Sequence, residues 1–116
     1  MQIGIQGTKT FNDYTIFLRA IGTALSTMSD EDKSVTIFSA GPAQINSYGL
    51  EFSNISERSL KARGIKIKFI KVTETWMKEN IANIDYLAYF SKPGEPYSDL
   101  VNLAEEHNID VGVYRY

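Results

Sequence analysis

The sequence predicts an α/β fold, a single three-layer α/β/α domain over residues 1–116 with a five-stranded, mostly parallel sheet. Three observations carry the prediction. Five short segments are rich in β-branched and aromatic residues whose apolar positions alternate or run unbroken. Between them lie stretches in which apolar residues recur at steps of three and four. The connections are brief and hold Gly, Pro, Asn or Ser. The resulting order, β-α-β-α-β-α-β-α-β, argues for parallel strands, right-handed crossovers and helices on both faces of the sheet.

Gln2 to Gln6 alternates Ile3 and Ile5 with polar or tiny residues, so it reads as the first strand, with Gly7-Thr8-Lys9-Thr10 as its turn. Asn12 is a candidate cap for a helix whose apolar face is Tyr14, Phe17, Leu18, Ile21, Leu25 and Met28. The charged run 29–33 is a solvated connection to a second strand, Val35 to Phe38, which ends at Ser39. A turn at Ala40-Gly41-Pro42-Ala43-Gln44 opens a helix with Ile45, Tyr48, Phe52 and Ile55 at helical spacing, Lys61 and Arg63 in its last turn, and Gly64 as its stop.

Ile65, Ile67 and Phe69 alternate with Lys66 and Lys68, the pattern of a strand with one wet face at a guarded sheet edge. A short amphipathic segment from Glu74 to Ile81 carries the only tryptophan, Trp76. Tyr86 to Phe90 is apolar throughout, as expected of a strand covered on both faces. The loop Ser91-Lys92-Pro93-Gly94-Glu95-Pro96 follows, with Pro96 expected in the first turn of a helix bearing Leu100, Leu103, Ala104 and His107. Asn108 can end that helix, and Val111 to Tyr114 supplies the last strand.

At 116 residues one hydrophobic core is expected, and the 43% hydrophobic, 22% charged composition lies well away from that of disordered chains. A net charge of -2 gives no global attraction to nucleic acid or to anionic membranes, so neither is favoured as a partner. The absence of cysteine excludes disulfides and thiolate metal sites. No apolar run approaches the roughly 20 residues that cross a bilayer, and no leader pattern is evident, so a cytoplasmic protein is expected.

In open parallel sheets, ligands bind beyond the carboxyl ends of the strands, where helix N-termini present unpaired N–H groups and a positive dipole end. That rule selects three loops: Gly7 to Asn12, Ser39 to Asn46, and Ser91 to Asp99. The candidate ligand-binding residues within them are Gly7, Thr8, Lys9, Thr10, Ser39, Gly41, Asn46, Gly94, Ser98 and Asp99.

The same loops carry a resemblance. Gly7-Thr8-Lys9-Thr10-Phe11-Asn12-Asp13-Tyr14 resembles the opening G-S-R-x-F-x-D-Y of YspA-like members of the SLOG superfamily, which are Rossmann-like nucleotide-binding proteins. The similarity continues at Phe38-Ser39-Ala40-Gly41-Pro42-Ala43-Gln44-Ile45-Asn46, where the family shows a glycine pair and a Gly-Ala-Asp step. It resumes at Pro93-Gly94-Glu95-Pro96-Tyr97-Ser98-Asp99, against Gly-Gly-x-Gly-Thr-x-Asp. The resemblance implies a Rossmann-like domain that binds a nucleotide derivative such as ADP-ribose or a cyclic signalling molecule. The departures are specific. Ala40 replaces the first glycine of the second loop, Asn46 replaces its acidic residue, and Glu95 and Tyr97 enlarge a loop that is otherwise small. Related phosphoribohydrolases place a catalytic glutamate where this chain has Val101, so their chemistry does not carry over.

Other residues have ordinary explanations. Asp99 in the first turn of a helix gains about 0.3–1 kcal/mol from the helix dipole and keeps only a small claim as a ribose ligand. His107, the only histidine, has no cysteine or second histidine to complete a metal site and is expected to be a partly buried helix-end residue. Lys61, Arg63, Lys66, Lys68 and Lys71 form a basic cluster that a guarded edge strand partly explains. The seven tyrosines, Tyr114 and Tyr116 among them, are compatible with an interface. No acid/base pair, metal set or resident cofactor is evident. The expected function is non-catalytic binding, sensing or sequestration of a nucleotide derivative by a homo-oligomer. The alternative is a structural or protein-interaction protein, for instance of phage origin and acting in the host cytoplasm, that keeps the scaffold with altered loops. A nucleotide-processing hydrolase ranks behind both.

Overall fold

The five apolar segments become the strands of one sheet in the computed structural model, which describes residues 1–96 and 98–116. β1 (Gln2–Gly7), β2 (Ser34–Ser39), β3 (Lys66–Lys71), β4 (Tyr86–Ser91) and β5 (Asp110–Arg115) lie in the order β3-β2-β1-β4-β5. All four pairings are parallel, so the sheet is wholly rather than mostly parallel. Each successive strand follows a helical crossover, α1 (Tyr14–Ser26), α2 (Ala43–Ala62), α3 (Glu74–Glu79) or α4 (Asp99–Glu106), which returns the chain to the same end of the sheet.

The two-residue period of the strands then divides the core. Ile3, Ile5, Val35, Ile37, Ala88 and Phe90 face the layer formed by α1 and α2, where Phe17, Ile21, Ile45 and Tyr48 are buried with them. Phe38 and Leu87 point the opposite way, into a second cluster with Met77 of α3, Ile81, Ile84, and Leu100, Val101 and Ala104 of α4. The expected three layers are thereby formed, and each fully buried Ile, Leu or Phe contributes about 1.5–3 kcal/mol. β4, between β1 and β5, buries Tyr86, Leu87, Ala88 and Phe90, as its unbroken apolar run implies. Gly64, at φ +77°, follows the C-terminus of α2.

Local differences have local causes. α1 is capped by Asp13, whose Oδ1 accepts from the Ile16 N–H at 3.1 Å, and not by Asn12. The Asn12 carboxamide instead accepts the Tyr48 hydroxyl at 2.8 Å. Pro96 precedes α4 and lies outside it, because Ser98 makes the cap. The segment expected as a helix to Ile81 stops at Glu79, and Ile81–Asn83 forms a 3₁₀ turn that buries Ile81. Ile55 is 66% exposed, so the inner face of α2 runs through Ser53 and Leu60 instead. His107 is exposed rather than partly buried and serves as the C-cap of α4, its Nδ1 lying 3.0 Å from the Leu103 carbonyl.

Candidate functional site

β2 and β3 lie on one side of β1, and β4 and β5 on the other, so the strand order reverses between β1 and β4. The chain's own side chains fill the space beyond that point. The Thr8 N–H donates to the Phe90 carbonyl at 2.9 Å, and Phe11 N–H donates to Thr8 O at 3.2 Å, folding the turn back over β4. Phe11 is buried, stacked on Phe90 at 4.4 Å and edge-on to Tyr116 at 5.1 Å. The Tyr116 hydroxyl hydrogen-bonds with the hydroxyls of Thr8 and, at 2.6 Å, Thr10. Lys9 between them is exposed. A Cβ on Gly7 would lie 2.6 Å from Ile45 Cδ1 and 2.7 Å from the Phe90 carbonyl oxygen, so only glycine fits where β1 passes the start of α2.

The loop between β2 and α2 is joined to that turn, since Gly7 N–H donates to the Gly41 carbonyl at 3.2 Å and Ala40 N–H to Ile5 O at 2.9 Å. Ser39 is fully buried, and its hydroxyl accepts the Gly41 N–H at 3.4 Å and donates to Asn46 Oδ1 at 2.5 Å. Asn46 is therefore not a loop residue. It lies in the first turn of α2, its own N–H bonded to Pro42 O at 3.0 Å. With Oδ1 held by Ser39, the Asn46 amide Nδ2 faces the loop, 3.9 Å from where a Cβ on Gly41 would stand.

The three helices that follow these loops begin differently. Asp13 caps α1 with a carboxylate and Ser98 caps α4 by accepting the Val101 N–H at 3.2 Å. Among the described residues no side chain caps α2, which begins at Pro42, so its first N–H groups have no side-chain acceptor there at the positive end of a 20-residue helix. Beside Asn46 Nδ2 these make a set of donors with no opposing carboxylate from their own cap.

The third loop is braced by a different residue. Arg115 Nη1 donates to Ser91 Oγ at 2.9 Å, Lys92 O at 2.9 Å and Glu95 O at 3.0 Å. Gly94 is exposed at φ +84°, Ser98 is committed to its cap, and Asp99 is the exposed first residue of α4. Burial raises the Tyr89 hydroxyl above its ordinary pKa, with the Ser98 side chain pulling in the other direction. Glu95 is half-buried, and Tyr97, singled out with it, lies outside the described residues.

The structure thus brings Gly7, Ser39, Gly41 and Asn46 together, ties Thr8 and Thr10 to Tyr116, leaves Lys9 in solvent, and places Gly94 in a loop braced by Arg115, with Ser98 as the cap and Asp99 as the first residue of α4. Sequence reasoning missed the roles of Tyr116, Arg115 and Asp13. Among the described residues no group of three or more His, Cys, Asp or Glu is placed to hold a metal ion, and no helix is long and apolar enough to cross a membrane. No family model, curated protein or solved structure matches the chain.

Proposed function

We propose that the chain is a non-catalytic binder of a nucleotide or nucleotide derivative whose anionic part rests on the N-terminus of α2. The observation that carries this reading is the Asn46 amide, turned by the buried Ser39 hydroxyl toward a helix start that no side chain caps among the described residues. Backbone N–H groups at a helix N-terminus suit phosphate oxygens, and a side-chain amide donor beside them adds a directional contact. The exposed Lys9, in the turn bonded to this loop through Gly7 and Gly41, supplies a nearby positive charge. The resemblance of the three loops to SLOG nucleotide-binding proteins points to the same ligand class, while the contact through Asn46 is this chain's own, since the family has an acidic residue there. A thermal-shift series tests it. Adenine nucleotides, ADP-ribose and cyclic derivatives should raise the melting point with dose, by the equivalent of about 2.7 kcal/mol at a hundredfold excess over Kd, whereas adenosine should not.

A second reading has its own observation. Phe11 and Tyr116 occupy the space beyond β1 and β4, and the Asp13 carboxylate holds the start of α1, as in a scaffold kept for protein contact. Leu50 and Ile55, 50% and 66% exposed on α2, suit self-association in either reading. A flat response to every nucleotide would favour this second function, whatever mass light scattering gives.

A further inference from the structure

Six of the twelve Lys and Arg residues fall within residues 58–71, a stretch without a single Asp or Glu in a chain of net charge -2. Arg58, Lys61, Arg63, Lys66, Lys68 and Lys71 are all exposed, at the end of α2 and along β3. β3 is the edge of the sheet and, among the described residues, pairs only with β2, which leaves a row of backbone donors and acceptors on its outer side. Lys66, Lys68 and Ile70 register with Ser34, Thr36 and Phe38, so they share the face that α3 covers only near Phe38. Ile67 and Phe69 face the α2 layer and are partly buried there.

A cleft lies on each side of this edge. One, of about 320 Å³, is lined by Ile65 and Ile67 with Glu57 and Lys61 of α2. The other, of about 490 Å³, lies between Phe38, Ile70, Val72 and Trp76, whose ring stacks on Phe38 at 4.7 Å. An extended chain laid along β3 would send alternate side chains to opposite faces of the sheet, toward these clefts and toward the lysines.

We propose that β3 accepts an extended peptide strand from a partner protein, one in which acidic residues alternate with apolar ones. The acidic positions stand opposite Lys66 and Lys68, on one face. Apolar positions stand opposite Ile67 and Phe69 on the other, and the alternation ends at Ile70, where an apolar residue on the lysine face enters the cleft between Phe38, Ile70 and Trp76. Charge decides the occupant. A second copy offering its own β3 would set lysine against lysine across the new pair, which is destabilising, whereas carboxylates in those positions are attracted. A nucleic-acid strand meets the lysines but has no use for the backbone ladder.

Fluorescence anisotropy on the full chain, with a labelled peptide of alternating Glu and Val, tests this. The alternating peptide should bind saturably, and a peptide of the same composition with Glu and Val in separate blocks should not. N-methylation of one alternate set of peptide nitrogens should abolish binding, and methylation of the other set should leave it intact, because only one set faces the ladder. The exposed pair Lys66→Glu/Lys68→Glu should weaken binding by about tenfold with an unchanged circular dichroism spectrum, and Lys66→Gln/Lys68→Gln by less. Equal binding of the block peptide, indifference to both methylation patterns, indifference to charge reversal, or tighter binding of a single-stranded oligonucleotide would each overturn the proposal.

Discussion

The Ser39 hydroxyl donates to the Asn46 side-chain oxygen at 2.5 Å, from a position with no solvent exposure, and so fixes which end of that amide faces the start of α2. Two substitutions separate its structural and binding roles. Asn46→Ala leaves the Ser39 hydroxyl without its acceptor, costing about 1–3 kcal/mol of stability, and removes a ligand donor, weakening nucleotide affinity by about 0.5–1.5 kcal/mol. Asn46→Asp keeps an acceptor for Ser39 and gains about 0.3–1 kcal/mol from the helix dipole, yet repels an anion. Melting curves with calorimetric titration should therefore show Asn46→Asp folded and unable to bind.

Tyr116 and Phe11 are assigned to packing. Phe11→Ala should cost about 3–5 kcal/mol in chemical unfolding, since the ring is buried against Phe90. Tyr116→Phe keeps the ring contacts but releases the Thr8 and Thr10 hydroxyls, and should cost about 0.5–1.5 kcal/mol for each hydrogen bond lost. Nucleotide affinity should be unchanged in Tyr116→Phe; a large change would move the ligand from α2 to the space beyond β1.

Arg115 fastens the loop after β4 through three oxygen acceptors on residues 91–95. Arg115→Ala should accelerate amide hydrogen exchange at Lys92, Gly94 and Glu95 while protection in β1, β2 and α2 is kept. Exchange that rises equally throughout the sheet would show that the contact supports the whole core instead.

The Tyr86 hydroxyl is pushed well above its ordinary pKa of 10.0, first by burial and then by its hydrogen bond with Tyr114, 2.7 Å away. Because the folded value is raised, the neutral form stabilises the fold fully below the unfolded pKa, and that contribution fades as pH climbs from about 10 toward the folded value. Denaturant midpoints measured between neutral and strongly alkaline pH should fall with a shallower slope in Tyr86→Phe than in the parent chain.

Period and punctuation in the sequence carried the fold. Ile3 and Ile5, Ile67 and Phe69, and the run Tyr86 to Phe90 each declare a strand through side chains only two residues apart. Caps were harder, because Asn12 and Asp13 are adjacent residues of similar capping strength and the choice depends on Tyr48, 36 residues away. The site was legible as positions and not as pairings. Ser39 and Asn46 were both singled out, but their hydrogen bond depends on where α2 begins. The contacts of Tyr116 with Thr8 and Thr10 span more than a hundred residues, and no periodicity encodes them.

Nuclear magnetic resonance titration of the labelled chain with ADP-ribose tests the central claim most directly. Dose-dependent shifts should appear at the backbone amides of Ala43, Gln44 and Ile45 and at the Asn46 side-chain amide, and should be absent at the same ligand concentration in Asn46→Asp. Unperturbed α2 amides in the presence of ADP-ribose, ATP and cyclic dinucleotides, or shifts confined to residues outside the first two loops, would contradict the assignment of this helix start as the ligand site.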